Sequence, residues 1–576
     1  MSRRLIEKAK RILSEEVGTI YKDPGGKIKV ALVYPNTYHL GMSNLGFQTV
    51  YGLLNSRDDI LCERAFLPDD EDREEYLRTG TELFTLESQR RLNGYDIIAF
   101  SVSFENDYLN ILDILNLSRI PPMRDERKDK YPLLVLGGIA TFFNPEPISD
   151  FFDLIAIGEA EEMVDDMVDL YKRESGKADR DDLLRDMGSI YGIYLPGLYD
   201  VIYGEDGTIK ERVAKKGALE KIKRRHIRDI NRFDTCSRVL TPNTEFSNMF
   251  LIEISRGCGR SCRFCLADFV YRPPRQREVG SILRAIKEGS HITDRIGLIG
   301  AAVSDHPAID SLISSPDIRG LYVSVSSLRA DTVTEKLIKR LAESGLKTVS
   351  IAPEAGSERL RRVINKGIRE EDILRASELI FLNGIANLKL YFMIGLPTET
   401  MEDVEAIVDL ARKIHEIQLS IARQKDSIGL LTISLNCFVP KPFTPFQWVA
   451  MEDIDTLKEK INLLKRAFKG IKNMSFIYDV PKWAHFQAFL SRGDRRVGKA
   501  LRNIRDRGDW VRAAKEAGID PEFYISRERS FDEILPWDFI DTGVRKDYLR
   551  EEYEMVKYGI ETPRCIPEEC TRCGVC

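Results

Sequence analysis

Cys258, Cys262 and Cys265 lie on one short stretch, Glu253-Ile-Ser-Arg-Gly-Cys-Gly-Arg-Ser-Cys-Arg-Phe-Cys265, spaced C-x3-C-x2-C with Phe264 just before the third cysteine. Three thiolates on one tight loop can hold three irons of a 4Fe-4S cube and leave the fourth iron without a protein ligand. A small chelating molecule can bind that open iron and receive an electron from it directly. Structural zinc takes four ligands, and no fourth cysteine or histidine stands nearby in the sequence. A second set, Cys565, Cys570, Cys573 and Cys576, is spaced C-x4-C-x2-C-x2-C. So short a segment cannot build a core, so a metal is its economical occupant. Zinc and a second 4Fe-4S cluster both fit four thiolates.

Seven of the ten cysteines fall in these two sets. They read as metal ligands in a reducing, cytoplasmic compartment rather than as disulfides. A chain of 576 residues with 43% hydrophobic content can build several full cores. A net charge of −5 gives no global basic field, so DNA is not an expected partner. No apolar run is long enough for a membrane span, and the start, Met1-Ser-Arg-Arg-Leu-Ile-Glu-Lys-Ala-Lys, is charged rather than a secretory signal.

The elements that position the thiols read as α/β. Residues 1–215 carry the apolar strands Lys29–Tyr34, Tyr95–Ser101, Leu133–Gly138 and Phe152–Ile157, a shorter strand at Cys62–Leu67, and a helix over Asn44–Leu54. Near-continuous apolar strands with helices between them indicate a parallel, doubly wound sheet, and ligands of such sheets bind at the carboxyl ends of the strands. The loops there hold Asn36, Tyr38, His39, Gly41, Ser43 and Asn44, then Ser101 and Ser103, then Gly137 and Gly138, then Gly158 and Glu159. Small residues at strand ends let backbone approach a bulky ligand. Residues 216–248 read as a linker whose basic run, Lys221-Ile-Lys-Arg-Arg-His-Ile-Arg228, is expected to be a solvated interdomain surface. Residues 249–450 repeat β-α steps from the strands Met249–Ile254, Ile296–Gly300, Leu321–Val325, Thr348–Ala352, Leu388–Met393 and Ile433–Phe438, which predicts a partial (β/α)6 barrel with its site at the carboxyl ends. A mostly helical C-terminal region, 451–560, precedes the Cys-rich metal-binding tail, 561–576. Within it Ser491-Arg-Gly-Asp-Arg-Arg-Val-Gly498 is polar enough to dock on the core or to bind substrate.

The cysteine loop, the barrel pattern and Gly395-Leu-Pro-Thr-Glu399 together resemble the radical S-adenosylmethionine (SAM) superfamily, and the N-terminal sheet resembles the cobalamin-binding domain of one of its large branches. The chain is close to an incompletely characterised radical SAM family with a cysteine-rich tail. The resemblance implies a 4Fe-4S cluster on Cys258, Cys262 and Cys265, with Phe264 beside it and SAM on the open iron. It implies that Gly300–Asp305 meets the methionine amino group, with Asp305 standing where the family has Gly-Gly-Glu. Ser324 and Ser326 would face the adenosyl group, Glu354 would accept from the amino group or ribose, and Gly395 would open the adenine-stacking motif. The strand-end residues from Asn36 to Glu159 would hold cobalamin. The first loop lacks the Asp-x-His-x-x-Gly motif of mutase-type domains, so His39 is either a cobalt ligand or a loop histidine with a local hydrogen bond, and a sheet that has lost the cofactor stays open. The activity implied is reductive SAM cleavage followed by methylation of an unactivated carbon. The alternative is cobalamin-independent sulfur insertion, using the tail as an auxiliary cluster on RNA or protein. Either needs an electron donor such as ferredoxin or flavodoxin; the substrate class, small molecule, protein or RNA, is not in the sequence.

Overall fold

The computed structural model describes residues 2–127, 130–177, 179–425, 428–504, 507–567 and 569–576. The N-terminal sheet contains β1 (Ile28–Tyr34), β2 (Ile60–Phe66), β3 (Ile97–Ser101), β4 (Leu133–Gly137), β5 (Leu154–Ala156) and β6 (Ile193–Tyr194), in the order β2-β1-β3-β4-β5-β6. Every neighbour is parallel except β6, which runs antiparallel to β5. Successive residues of β1 serve opposite faces. Val30 and Leu32 enter one core with Phe47 and Leu54, whereas Ala31 and Val33 enter another with Ile98 and Phe100. That two-sided burial is why the strand reads as an unbroken apolar run. The helix Leu45–Ser56 begins where Asn44 Oδ1 accepts from the Phe47 N–H at 2.8 Å. With this order the winding direction reverses between β1 and β3, which opens a crevice at their carboxyl ends.

The second unit is an arc of parallel strands: β7 (Phe250–Glu253), β8 (Arg295–Ile299) and β9 (Tyr322–Val325), then β10 (Thr348–Glu354), β11 (Asn387–Ile394), β12 (Leu431–Cys437) and β13 (Met474–Tyr478). A parallel bridge between Leu328 and Ile351 joins the two halves. Leu388, Leu390, Phe392 and Ile394 alternate inward along β11. The sequence predicts six strands. β13 is a seventh, in the region expected to be helical, paired with β12 from Leu431↔Met474 to Leu435↔Tyr478. Its half-exposed residues do not make the apolar run that marks the others.

Two further expectations change. The basic run is a solvated surface only in part: Lys221, Lys223 and Arg228 are exposed, and the rest turns inward. Ile222–Lys223 pairs with Ile540–Asp541, Ile227 and Arg224 are buried, and Arg224 donates to the Arg272 carbonyl at 2.7 Å. One carbonyl partner meets the Arg224 guanidinium in the domain seam, while its Nε and Nη1 have none among the described residues. Ser491–Gly498 docks on both units: Arg492 Nη1 donates to the Val449 carbonyl at the end of the core, and the rest of the segment meets the N-terminal domain. Asn144 Nδ2 donates to the Ser491 and Gly493 carbonyls at 3.0 and 2.8 Å, and Arg495 Nη1 donates to the Tyr199 carbonyl at 2.8 Å. Arg495 and Arg212 also flank Glu146 at 3.4 and 3.3 Å. Burial pushes the Glu146 carboxyl up, but the two arginines outweigh it and hold it at about 2. Lys441, in the proline-rich segment after β12, pairs with Glu105 of the N-terminal domain. The two domains are thus held edge to edge. Among the described residues no helix is long and apolar enough to cross a membrane.

Candidate active site

The strand β7 delivers the chain into the cysteine loop. Gly257 and Gly259 turn it in the left-handed region, at φ +79° and +76°, and a Cβ on Gly257 would stand 2.9 Å from the Tyr271 carbonyl oxygen. Cys262 is buried, while Cys258 and Cys265 are half-buried. Burial pushes all three thiols up, with their mutual repulsion and Asp268 adding to it at Cys258, which reaches about 12. Such thiols stay protonated near neutrality until a metal takes them as thiolates. Three soft donors on one loop are the right set for a site-differentiated cube. Among the described residues no three Cys, His, Asp or Glu side chains converge on a single-ion site.

Cations surround the loop. Arg329 and Lys366, both buried, lower the Cys262 thiol against the effect of its burial. Lys366 Nζ lies 3.1 Å from Glu354 Oε1 and 5.9 Å from the centre of the Phe264 ring. Glu354 sits at φ +68°, a left-handed position that costs a non-glycine residue about 1 kcal/mol or more. Phe264 also packs with Met393, Phe438 and Phe446.

The remaining barrel residues have partners of their own. Asp305 does not stand free for an amino group: Arg260, on the cysteine loop, holds both its oxygens at 2.7 Å and reaches Asp331 at 3.1 Å. Ser326 Oγ donates to the Gly300 carbonyl at 2.9 Å. Ser324, half-buried on β9, is paired in register with Gly297. The Gly395 N–H donates to Glu399 Oε2 at 2.8 Å, and Lys460 Nζ donates to the same oxygen at 2.7 Å. Burial lifts the Glu399 carboxyl to about 7 against the pull of Lys460. The Gly395–Glu399 motif is therefore a closed turn locked from behind by Lys460.

A cleft of about 420 Å³ opens between the two domains. Asn44, Ser101, Ser103, Gly138, Gly158 and Glu159 line its N-terminal wall, and Glu253, Arg256, Gly257, Tyr271 and Gly300 line the wall beside the cysteine loop. Asn44 Nδ2 donates to Ser103 Oγ at 3.0 Å. Glu159 organises the seam. It accepts from Arg275 at 2.7 and 2.8 Å and from the Ile227 N–H at 2.7 Å, and it pairs with Arg256 at 3.1 Å. Burial raises its carboxyl, yet these cations hold it at about 2. The cleft shares Val50, Ser101, Gly138, Gly158 and Ala160 with a narrower slot of about 110 Å³. Gly137 and methionines 163, 167 and 187 also line that slot, and its surface is almost wholly apolar.

The other first-loop residues are placed elsewhere. Asn36 donates to Asp107 at 2.7 Å, and the Tyr38 hydroxyl donates to Glu16 at 2.7 Å. His39 Nε2 faces Glu245 at 3.5 Å, and Ser43 Oγ donates to the His39 carbonyl at 2.6 Å. Gly41 leaves room for Phe66, whose ring would lie 2.5 Å from a Cβ there. Tyr38 and His39 line a separate cavity of about 810 Å³ beside the helix Arg3–Ser14. The His39 ring thus has Glu245 as its neighbour and lines this cavity rather than the cleft. Sequence reasoning missed Arg256, Tyr271, Arg275, Arg329 and Lys366. Arg256 had a signal, being two residues before Cys258; the others are brought in by topology.

The tail lies against the cysteine loop. The Cys565 N–H donates to the Gly259 carbonyl at 2.7 Å. Asn365 Nδ2 donates to the Ser261 carbonyl at 3.0 Å, and Asn365 Oδ1 accepts from the Thr562 N–H at 2.8 Å. Cys565 and Cys573 are buried, Cys570 is half-buried and Cys576 is exposed.

Two family models match: "Radical SAM proteins, N-terminal" over residues 46–196, and "Radical SAM superfamily" over residues 252–411. An uncharacterised protein of Methanocaldococcus jannaschii is 31% identical over 90% of this chain and 98% of its own length. An uncharacterised methyltransferase of Pyrococcus horikoshii is 24% identical over 49% of this chain and 58% of its own length. The ribosomal protein uS12 methylthiotransferase of Thermodesulfovibrio yellowstonii is 23% identical over 37% of this chain, which spans 54% of that relative. Among solved structures, the radical SAM methyltransferase TsrM of Kitasatospora setae, with cobalamin and a [4Fe-4S] cluster bound, aligns with TM-score 0.48 and 14% identity over 92% of this chain and 99% of its own. With a relative at this identity along almost its whole length, and the superfamily model lying over the cysteine loop and the strands after it, the chain belongs to the radical SAM superfamily.

Proposed function

We propose that this radical SAM enzyme is a cobalamin-dependent methyltransferase acting on an unactivated carbon. The observation that carries the reading is the shared cleft: the carboxyl edge of a doubly wound sheet is one wall, and the residues flanking the cysteine run, Arg256 and Gly257 before it and Ala267 and Tyr271 after it, are on the other. When bound, the cluster and SAM supply a radical that removes hydrogen from carbon, and cobalamin supplies the methyl group. The protein's own work is placement. Gly138 and Gly158, at φ +99° and +128°, let the strand-end loops pack against the Val102 and Arg225 backbones, which a Cβ would meet at 2.4 and 2.2 Å. The apolar slot suits the heterocyclic arm of such a cofactor, and Arg256, Arg275 and Glu159 hold the walls in register. Lys366 and Arg329 give the carboxylate of SAM cations to meet near Cys262. The displacement of His39 from the cleft supports binding without histidine on cobalt.

The test is cobalamin uptake by the anaerobically reconstituted full chain. Roughly one cobalamin per chain is expected, with a spectrum free of histidine ligation. Ser103→Trp, which fills the cleft mouth, is expected to abolish uptake and to leave the iron of the cysteine loop in place. No uptake by the unmodified chain would overturn methyl transfer from cobalamin and leave the cobalamin-independent alternative, methylthio or sulfur insertion; the uS12 relative is named a methylthiotransferase.

A further inference from the structure

We infer that Cys565, Cys570, Cys573 and Cys576 hold a redox centre through which the electron that reduces the catalytic cluster enters the protein. The four thiols are gathered at one place. They fall within twelve residues, where the Cys570 N–H donates to the Ile566 carbonyl at 2.8 Å and closes a turn, and the Cys573 carbonyl accepts from the Arg545 N–H at 2.9 Å. Four soft donors in so short a segment suit an iron–sulfur cluster as well as zinc.

The seat of the tail gives the centre its role. Cys565 is bonded to Gly259, the residue after Cys258, so one hydrogen bond and one residue separate a ligand of each centre. A Cβ on Gly259 would come within 3.1 Å of the Cys565 carbonyl oxygen, so the two backbones meet with no side chain between them. The register is fixed at depth. Arg263 and Glu552, both without solvent exposure, lie 3.3 Å apart; Arg263 Nη2 donates to the Ile560 carbonyl at 2.7 Å and Thr562 Oγ1 donates to Glu552 at 2.6 Å. A metal knot that only pinned the chain end would need no such alignment with the catalytic loop. The thiols also run from the loop outward, from buried Cys565 and Cys573 to exposed Cys576.

The step balances as one electron. A protein donor of the ferredoxin or flavodoxin class is oxidised by one electron, the tail centre takes it up and hands it on, and the cluster on Cys258, Cys262 and Cys265 is reduced by one; no proton moves. Redox-inert zinc cannot serve. The inference rests on membership of the radical SAM superfamily and not on cobalamin. Cobalamin uptake is expected to be the same in every tail variant, so its failure and the failure of the methyl-transfer reading are separable.

The experiment compares the anaerobically reconstituted full chain with Cys570→Ser/Cys573→Ser, and reads iron content, the paramagnetic signals of the reduced clusters, and the rate of catalytic-cluster reduction. Roughly eight irons per chain are expected for the unmodified protein and roughly four for the double variant. The variant should be reduced by dithionite at a rate within about twofold of the unmodified protein, and by reduced flavodoxin about tenfold more slowly or worse. Zinc in the tail of metal-replete protein, or flavodoxin reducing the double variant at the unmodified rate, overturns the inference. If the double variant fails to load its catalytic cluster, Cys576→Ser decides, because that residue is exposed at the chain end. A slowed flavodoxin rate with the catalytic signal retained supports the relay, and an unchanged rate with an altered tail signal overturns it.

Discussion

The N–H of Cys565 donates to the carbonyl of Gly259 at 2.7 Å, so the last cysteines of the chain are fixed to the loop that carries the first catalytic one. They are separated by most of the barrel in sequence. That contact makes the cluster loop a structure with two supports, β7 from one side and the tail from the other, and it bears on how the loop responds to mutation.

Replacing Cys258, Cys262 and Cys265 together by Ala should remove roughly four irons per chain and abolish 5′-deoxyadenosine formation. The fold should persist, because the loop's backbone is also held by Asn365 and by the Arg263–Glu552 pair. Circular dichroism and iron analysis check the two halves of the statement. Reductive cleavage of SAM by the triple variant would refute the assignment of the cluster.

Asp305→Asn separates two roles for one carboxylate. As a partner of Arg260, Asp305 steadies the segment between Cys258 and Cys262. Its loss should cost about 1–3 kcal/mol, the usual penalty for leaving a partly buried charge without its counterpart, and should lower the iron retained after gel filtration. SAM affinity of fully loaded protein should change little. Intact iron with a large rise in the SAM Kd would return Asp305 to the amino-group role expected from sequence.

Acid should loosen the docking of Ser491–Gly498 on the N-terminal domain. Glu146 falls from an ordinary 4.5 to about 2 in the folded protein because Arg212 and Arg495 outweigh its burial. A depressed carboxyl pKa contributes stability that is fully present above about 4.5 and is lost as pH falls toward about 2, at most about 3 kcal/mol here. Glu146→Gln should already be destabilised at neutral pH, with the half-buried Arg212 losing its carboxylate and Arg495 keeping only Asp150 at 3.7 Å, and should show a flatter pH dependence between those limits. Unfolding midpoints that run parallel with pH for the two proteins would show that Glu146 contributes no such linkage.

How much of this was legible in the sequence follows from how each feature is made. Ile97–Ser101 and Leu133–Gly137 could be read because two-sided burial demands unbroken apolar runs. β6 has two residues and β13 is half-exposed, so neither writes such a run. The cysteine loop was legible because spacing along the chain is itself its geometry. Lys366 and Arg329 reach Cys262 only because β10 and β9 end at the same rim, and nothing local marks them. The first loop left His39 open between two roles, because the direction of a loop side chain is set by partners distant in sequence, here Glu245 at 3.5 Å.

Lys366 offers the sharpest test of the electrostatics at the site. Its ammonium lies 3.1 Å from Glu354, itself held in a left-handed backbone position, and both are within reach of the buried Cys262. Burial pulls the Lys366 ammonium down, but its neighbours, Glu354 first, outweigh it and raise it above its ordinary value. Lys366→Met removes the cation and keeps the stem's volume. The first consequence is an uncompensated Glu354 and a loss of about 3–5 kcal/mol, the range for breaking one side of a buried pair. The second is electronic. A thiolate-bound cluster gains negative charge on reduction, so losing a nearby cation makes it harder to reduce. Redox titration followed by EPR should therefore show a more negative midpoint in Lys366→Met. Lys366→Met/Glu354→Gln should recover most of the stability, because no buried charge is left unpaired, but not the midpoint, because the cation is still missing. Recovery of both together would mean that Lys366 acts on the cluster only by holding the backbone of Glu354 in place.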